Sequence, residues 1–316
     1  MNTRQKIFII STILIILIII VSTLFILPKQ NTEDGKIKIV ASFYPLSFFA
    51  KIIGGEKVAV KQLIPNNVEV HTWQPSFSDI LTLEDADILL YNGASLDHWF
   101  EEDILNIINP TEKLIIKTTK GLQLLETKTE NITIDPDHSE PYDPHTWISP
   151  FLAQQQAEKI YLALVQKDPN HTEYYSTRWQ KLKTTLEELD KDYFNSLLTK
   201  QKDEIFVAHS AFGYLADRYG FIQYGIIGIS ADEQPSASTY ANLVEMMVDN
   251  EIYVVFVDPV YPNESAQTLG NELERLTGHD VIILKLYYML GEIDGLDYLE
   301  QQEKNLENLI IGLEAK

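Results

Sequence analysis

YSTRWQKLKTTLEELDKDYFNSL, residues 175–197, decides how this chain is built. Its apolar residues Tyr175, Trp179, Leu182, Leu186, Leu189, Tyr193 and Leu197 are spaced by 4, 3, 4, 3, 4 and 4 positions, which keeps one stripe in register on an α-helix. Pro169 and Asn170 precede the stripe, and Glu173 stands three residues after Asn170, as in a capping box. A helix of about thirty residues is long for the interior of one globular domain. The spacing therefore predicts a spine, residues 169–201, that bridges two bodies.

On either side of the spine, short β-rich runs alternate with helical patterns. Residues 36–168 carry strand-like segments at 36–43, 58–65, 88–94 and 114–119, with helical spacing at 45–55, 76–87 and 96–108 and an irregular acidic loop over 121–144. Residues 202–316 repeat the theme, with strands at 204–209, 222–229, 253–260 and 280–288 and helices between them and at the end. The expected fold class is α/β: two similar lobes, each a parallel sheet flanked by helices, joined by one long rigid helix.

The composition removes several functions at once. There is no cysteine, so disulfides, thiolate metal sites and lipid-modified cysteine are excluded. A formal net charge of −21 repels phosphate backbones, so no nucleic-acid partner is expected, whereas cations would gather near the surface. Neither GxGxxG nor GxxxxGK[ST] occurs, and nucleotide binding has no support.

Residues 1–35 read as an export and anchoring segment. Ile7 to Leu27 contains no charge and would reach about 30 Å as a helix, the thickness of a hydrocarbon core. Arg4 and Lys6 precede it, which places the N-terminus in the cytoplasm and everything after Pro28 outside. No small-residue cleavage site follows, so an uncleaved membrane anchor is preferred to a cleaved signal peptide.

The tripeptide HTW occurs twice, at 71–73 and 145–147, in a chain with seven His and four Trp. His71 follows the second strand, His145 follows the loop after the fourth, and His209 ends EIFVAH. Ligands in open α/β sheets gather at the carboxyl ends of strands, so topology brings these three imidazoles together between the lobes. Three neutral imidazoles suit a borderline divalent ion, zinc above all. Asp143, Ser210 and strand-end carbonyls stand near enough in sequence to orient the rings, while Pro75 and Pro144 stiffen the loops. His98, His171 and His279 read as surface residues, and His138 as part of a solvated acidic loop.

HTWQPSFSDI, DPHTWISP and AHSAFGYLADRYG resemble three metal-ligand segments of the solute-binding proteins of zinc and manganese ABC importers. GISADEQPSAS, VVFVDPVYPNESAQTLGNELERLTG and YLEQQEKNLENL extend the similarity over about residues 37–313. The resemblance implies a monomeric extracytoplasmic receptor that captures Zn2+ through His71, His145 and His209 and delivers it to a membrane ABC permease. Members that carry manganese typically place a carboxylate where His209 stands, so Mn2+ is the lesser expectation. The family often supplies a late Asp where this chain has LYYMLG, with Tyr287 or Tyr288 at that place. A fourth ligand is left open among water, Glu69, Asp258, Asp294 and Asp297. A zinc hydrolase using the three histidines and a surface adhesin with this fold are the competing readings. No H-E-x-x-H occurs to favour the hydrolase, and the chain is not expected to be an enzyme.

Overall fold

The computed structural model describes residues 35–108, 111, 113–127, 141–228 and 235–316. The Ile7–Leu27 anchor, His138 and most of the acidic loop lie outside the described residues. Among the described residues no helix is long and apolar enough to cross a membrane.

The first lobe contains β1 (Ile37–Ala41), α1 (Tyr44–Gly54), β2 (Val58–Gln62), α2 (Phe77–Glu84), β3 (Ile88–Tyr91), β4 (Leu114–Lys117) and α3 (Pro150–Lys167). After the spine α4 (Thr172–Leu197), the second lobe runs β5 (Glu204–His209), α5 (Gly213–Tyr219), β6 (Ile222–Ile227), α6 (Ala237–Asp249), β7 (Val254–Val257), α7 (Glu264–Thr277), β8 (Ile282–Lys285) and α8 (Tyr298–Gly312). Both sheets are wholly parallel and share one order, β2-β1-β3-β4 and β6-β5-β7-β8. In each, the chain reverses its winding beside the first strand, where open sheets form a crevice. The expected two-lobed α/β architecture is what the structure has.

Strand alternation sorts side chains into three cores. On β1, Ile37, Ile39 and Ala41 face one way and Val40 the other; on β5, Ile205 and Val207 oppose Phe206 and Ala208. Val40, Leu89 and Tyr91 join Trp99 and Phe100 in an outer core of the first lobe, and Phe206, Val255 and Leu269 build its counterpart in the second. The inward residues of both sheets meet in one continuous central core with the spine stripe, every one of whose seven apolar residues is buried. Each such side chain contributes about 1.5–3 kcal/mol over its exposed state.

Two local expectations are corrected. The Asn170–Glu173 capping box does not form: a 3-10 turn spans Pro169–His171 and the helix starts at Thr172 without a side-chain cap. Asp168 instead ties the turn to the helix through side chains, its Oδ2 accepting from the Tyr175 hydroxyl at 2.8 Å and pairing with His171 Nδ1 at 2.6 Å. A carboxylate one residue before proline reaches the turn that proline creates, which the box spacing ignores. Second, the helix expected over 96–108 is a π-helical turn at Phe100–Ile104 running into a three-residue helix at Leu105–Ile107. The adjacent Trp99 and Phe100, together with Ile104, must all be buried, and the wider turn brings consecutive residues onto one face.

Because Leu186 is fully buried at the middle of the spine, Leu186→Ala is expected to lower the unfolding free energy by about 2–5 kcal/mol in a urea titration.

Candidate metal centre

Each imidazole is delivered by a different device. His209 is the last residue of β5, pinned through its carbonyl, which accepts from the Tyr288 hydroxyl at 3.1 Å. Its ring lies edge-on to Tyr288 at 5.2 Å and to Tyr261 at 6.0 Å. His71 sits in the loop after β2, where Glu69 Oε1 accepts its backbone N–H at 2.8 Å. His145 opens the 3-10 turn Thr146–Ile148.

The His145 loop is the most heavily braced. Asp143 Oδ1 accepts from the His145 backbone N–H at 2.9 Å and lies 2.8 Å from its Nδ1. A carboxylate there holds the proton on Nδ1 and turns the Nε2 lone pair toward the other rings. The intervening Pro144 carbonyl accepts from Asn92 Nδ2 at 3.0 Å. Asn92 Oδ1 in turn accepts from Gln156 Nε2 at 2.9 Å, and Asp97 accepts the Asn92 and Gly93 backbone N–H groups, both at 2.7 Å. Asn92, Asp97 and Gln156 are all buried, so this network is a fixed floor beneath the loop.

The three side chains converge. His71, His145 and His209 are 7%, 2% and 3% exposed, which places the centre inside the interface rather than at an open rim. One ring nitrogen from each lies within 4.8 Å of the other two. His71 Nε2 and His145 Nε2 are 3.3 Å apart. Two nitrogens at about 2.0–2.1 Å from one tetrahedral ion would stand about 3.3–3.4 Å apart. Burial holds His145 neutral, far below the usual imidazole range, and pushes the Asp143 carboxyl up to about 7. Neutral imidazoles are the form a metal takes.

Of the acids considered for a fourth position, Asp258, Asp294 and Asp297 are engaged elsewhere, while Glu69 keeps its buried Oε2 without a hydrogen-bond partner among the described residues. Asp258 accepts the Val260 and Tyr288 backbone N–H groups, both at 2.6 Å, and burial pushes it up to about 7. Asp294 pairs with Lys285 at 2.5 Å and accepts from the Tyr287 hydroxyl at 2.9 Å. Asp297 caps α8, accepting from Leu299 and Glu300. Glu69 spends one oxygen on the His71 amide and lies beside the Tyr261 hydroxyl. Among the described residues no carboxylate joins the three-imidazole cluster. Tyr288 supplies no phenolate, because burial first and Asp258 second push its hydroxyl far up.

Among the described residues the other histidines stay apart: His171 pairs with Asp168, His279 lies against Tyr253 on the surface, and His98 is half-buried. Ser210, expected to orient His209, instead donates to the Ile227 carbonyl at 3.1 Å. Sequence reasoning missed Asn92, Asp97 and Gln156. The Asn-Gly pair ending β3 was the available signal, since it marks a turn that needs a buried acceptor for its amides.

Comparison with known proteins agrees with this geometry. The chain is 31% identical over 295 residues to the high-affinity zinc uptake system protein ZnuA of Bacillus subtilis, covering 91% of each. It is 31% identical over 291 residues to the zinc-binding lipoprotein AdcA of Streptococcus pneumoniae, covering 89% of this chain but 56% of that longer one. The Zn(II)-bound ZnuA-like domain of Streptococcus pneumoniae AdcA superposes with a TM-score of 0.73 at 28% identity, over 88% of this chain and 99% of that one. The family model described as ZnuA, zinc-uptake complex component A, periplasmic, matches residues 39–311, and this chain belongs to that family.

Proposed function

We propose that this protein is an extracytoplasmic receptor that takes Zn2+ between its lobes through His71, His145 and His209 and passes it to an ABC permease. The observation that carries the reading is the convergence of three buried imidazoles from distant segments, two of them already at the spacing a tetrahedral ion requires. A ready-made shell costs little ordering on capture. An all-nitrogen set with no carboxylate among the described ligands favours zinc over manganese, which prefers oxygen. The receptor reading is also preferred to a hydrolase, because Asp143, the acid on the His145 ring, is committed to holding that ring and its loop. The lobes are taken as residues 36–168 and 202–316 about a spine at 169–201.

Release follows from the way the lobes are joined. Trp147 Nε1 donates to the Tyr288 carbonyl at 2.7 Å, Asn67 N–H to the Leu290 carbonyl at 3.0 Å, and Gln302 Nε2 to the Ile148 carbonyl at 2.9 Å, all across the interface. Opening the lobes as rigid halves would break these bonds and the central core together. Movement of the half-exposed loop between β2 and α2, which carries His71 and Asn67, gives up the Asn67 bonds but leaves those of Trp147 and Gln302 in place. The permease would therefore withdraw His71 while His145 and His209 stay in place.

Calorimetric titration of the full-length chain after chelator stripping is expected to show one Zn2+ per chain, bound more tightly than Mn2+. Replacing His71, His145 or His209 by Ala should each weaken Zn2+ binding by at least about 100-fold, given the multi-kcal/mol share of one ligand in zinc binding. Affinity equal to that of the unaltered chain in all three variants would overturn the assignment.

Protons compete with the metal for imidazole, so affinity is full at neutral pH and lost as pH falls. Burial moves the His145 part of that loss below the ordinary imidazole range. A dissociation-constant series should show the steep loss setting in below about pH 6.

The uncharged run Ile7–Leu27 would hold the receptor at the outer face of the membrane. Cell fractionation should find the chain with membranes and retaining its N-terminal residues by mass; a chain released by cleavage after residue 27 would refute the anchor.

A further inference from the structure

We infer that Gly213 and Tyr214, at the start of α5 in the second lobe, are positioning residues for Zn2+ capture, holding Asp143 of the first lobe in the pose that orients His145. This rests on the proposed role of the three imidazoles. Asp143 can serve the His145 amide and ring together only while its carboxylate is kept from swinging away. Its second oxygen lies against Gly213: a Cβ built there would stand 2.6 Å from Asp143 Oδ2 and 3.3 Å from Gln223 Nε2. Only a residue without a side chain leaves room for that carboxylate. The backbone is fixed by the adjoining residue, since the Tyr214 hydroxyl donates to the Asp143 carbonyl at 2.6 Å and accepts from the Leu125 N–H at 3.2 Å.

The start of α5 is itself set from β6, where Gln223 Oε1 accepts the Phe212 N–H at 2.8 Å. The run His209–Tyr214 therefore does two things with one rigid turn. It presents the third imidazole, and it clamps the loop carrying the second. Seating α5 against the first lobe completes both together.

The test is the rate of Zn2+ release from the full-length chain into excess chelator, followed by stopped flow. Gly213→Ala is expected to speed release about 10- to 100-fold, the usual effect of losing an outer partner of a metal-bound histidine. In an Asp143→Ala background the new methyl meets no carboxylate, so Gly213→Ala should add less than about twofold. A merely structural role would lower the melting temperature of the metal-free protein and either leave release unchanged or speed it by the same factor in both backgrounds. Either result overturns the inference. Should Gly213→Ala not fold, Tyr214→Phe decides: faster release than the parent supports the clamp, and an equal rate overturns it. Failure of the unaltered chain to bind Zn2+ would overturn the proposed function itself, whereas normal binding with unchanged release from both variants would overturn the clamp alone.

Discussion

Trp147 lies edge-on to Phe43 at 4.7 Å, gives its indole N–H to the Tyr288 carbonyl and receives the Tyr298 hydroxyl on its own carbonyl. It is fully buried and stands two residues after His145. Burying an indole N–H is costly unless it is satisfied, and the partner of this one belongs to the opposite lobe. The same residue thus ties the central core together and sets the exit of the loop that presents His145. The spine stripe, the inner faces of both sheets and the ligand loops all close on this one cluster.

A shared core changes what two lobes can do. Separate cores would let the halves swing on a hinge. Here the inward residues of both sheets belong to one apolar mass, and the polar bonds over it run between lobes at Asn67, Trp147, Tyr214 and Gln302. Opening the halves would therefore break this core and these bonds together. The electrostatics point the same way. A net charge of −21 draws cations toward the surface, while burial keeps His145 neutral and ready to coordinate.

Much of this was legible along the chain. The 4-3 spacing from Tyr175 to Leu197 named the spine and each of its buried residues, because one helix face packed against one core leaves a strictly periodic trace. Ser76 and Ser236 cap α2 and α6, where a hydroxyl satisfies a backbone amide locally. Asp168 escaped notice because its partners, His171 and Tyr175, meet it only once proline has bent the chain. The two HTW copies look alike in sequence yet part in space: Trp73 rests on Trp99 at the outer core, while Trp147 fills the central one.

The residue order alone determined the alternation of strands and helices, the long bridging helix and three candidate imidazoles on segments that follow strands, because periodicity and chain topology are local and one-dimensional. Only the tertiary structure decided that no neighbouring acid among the described residues joins those imidazoles, and that Asn92 of one lobe and Tyr214 of the other hydrogen-bond the loop of His145. Whether a carboxylate points at a site or at a backbone amide depends on distances of a few ångströms between segments far apart in sequence, and spacing along the chain carries no record of them.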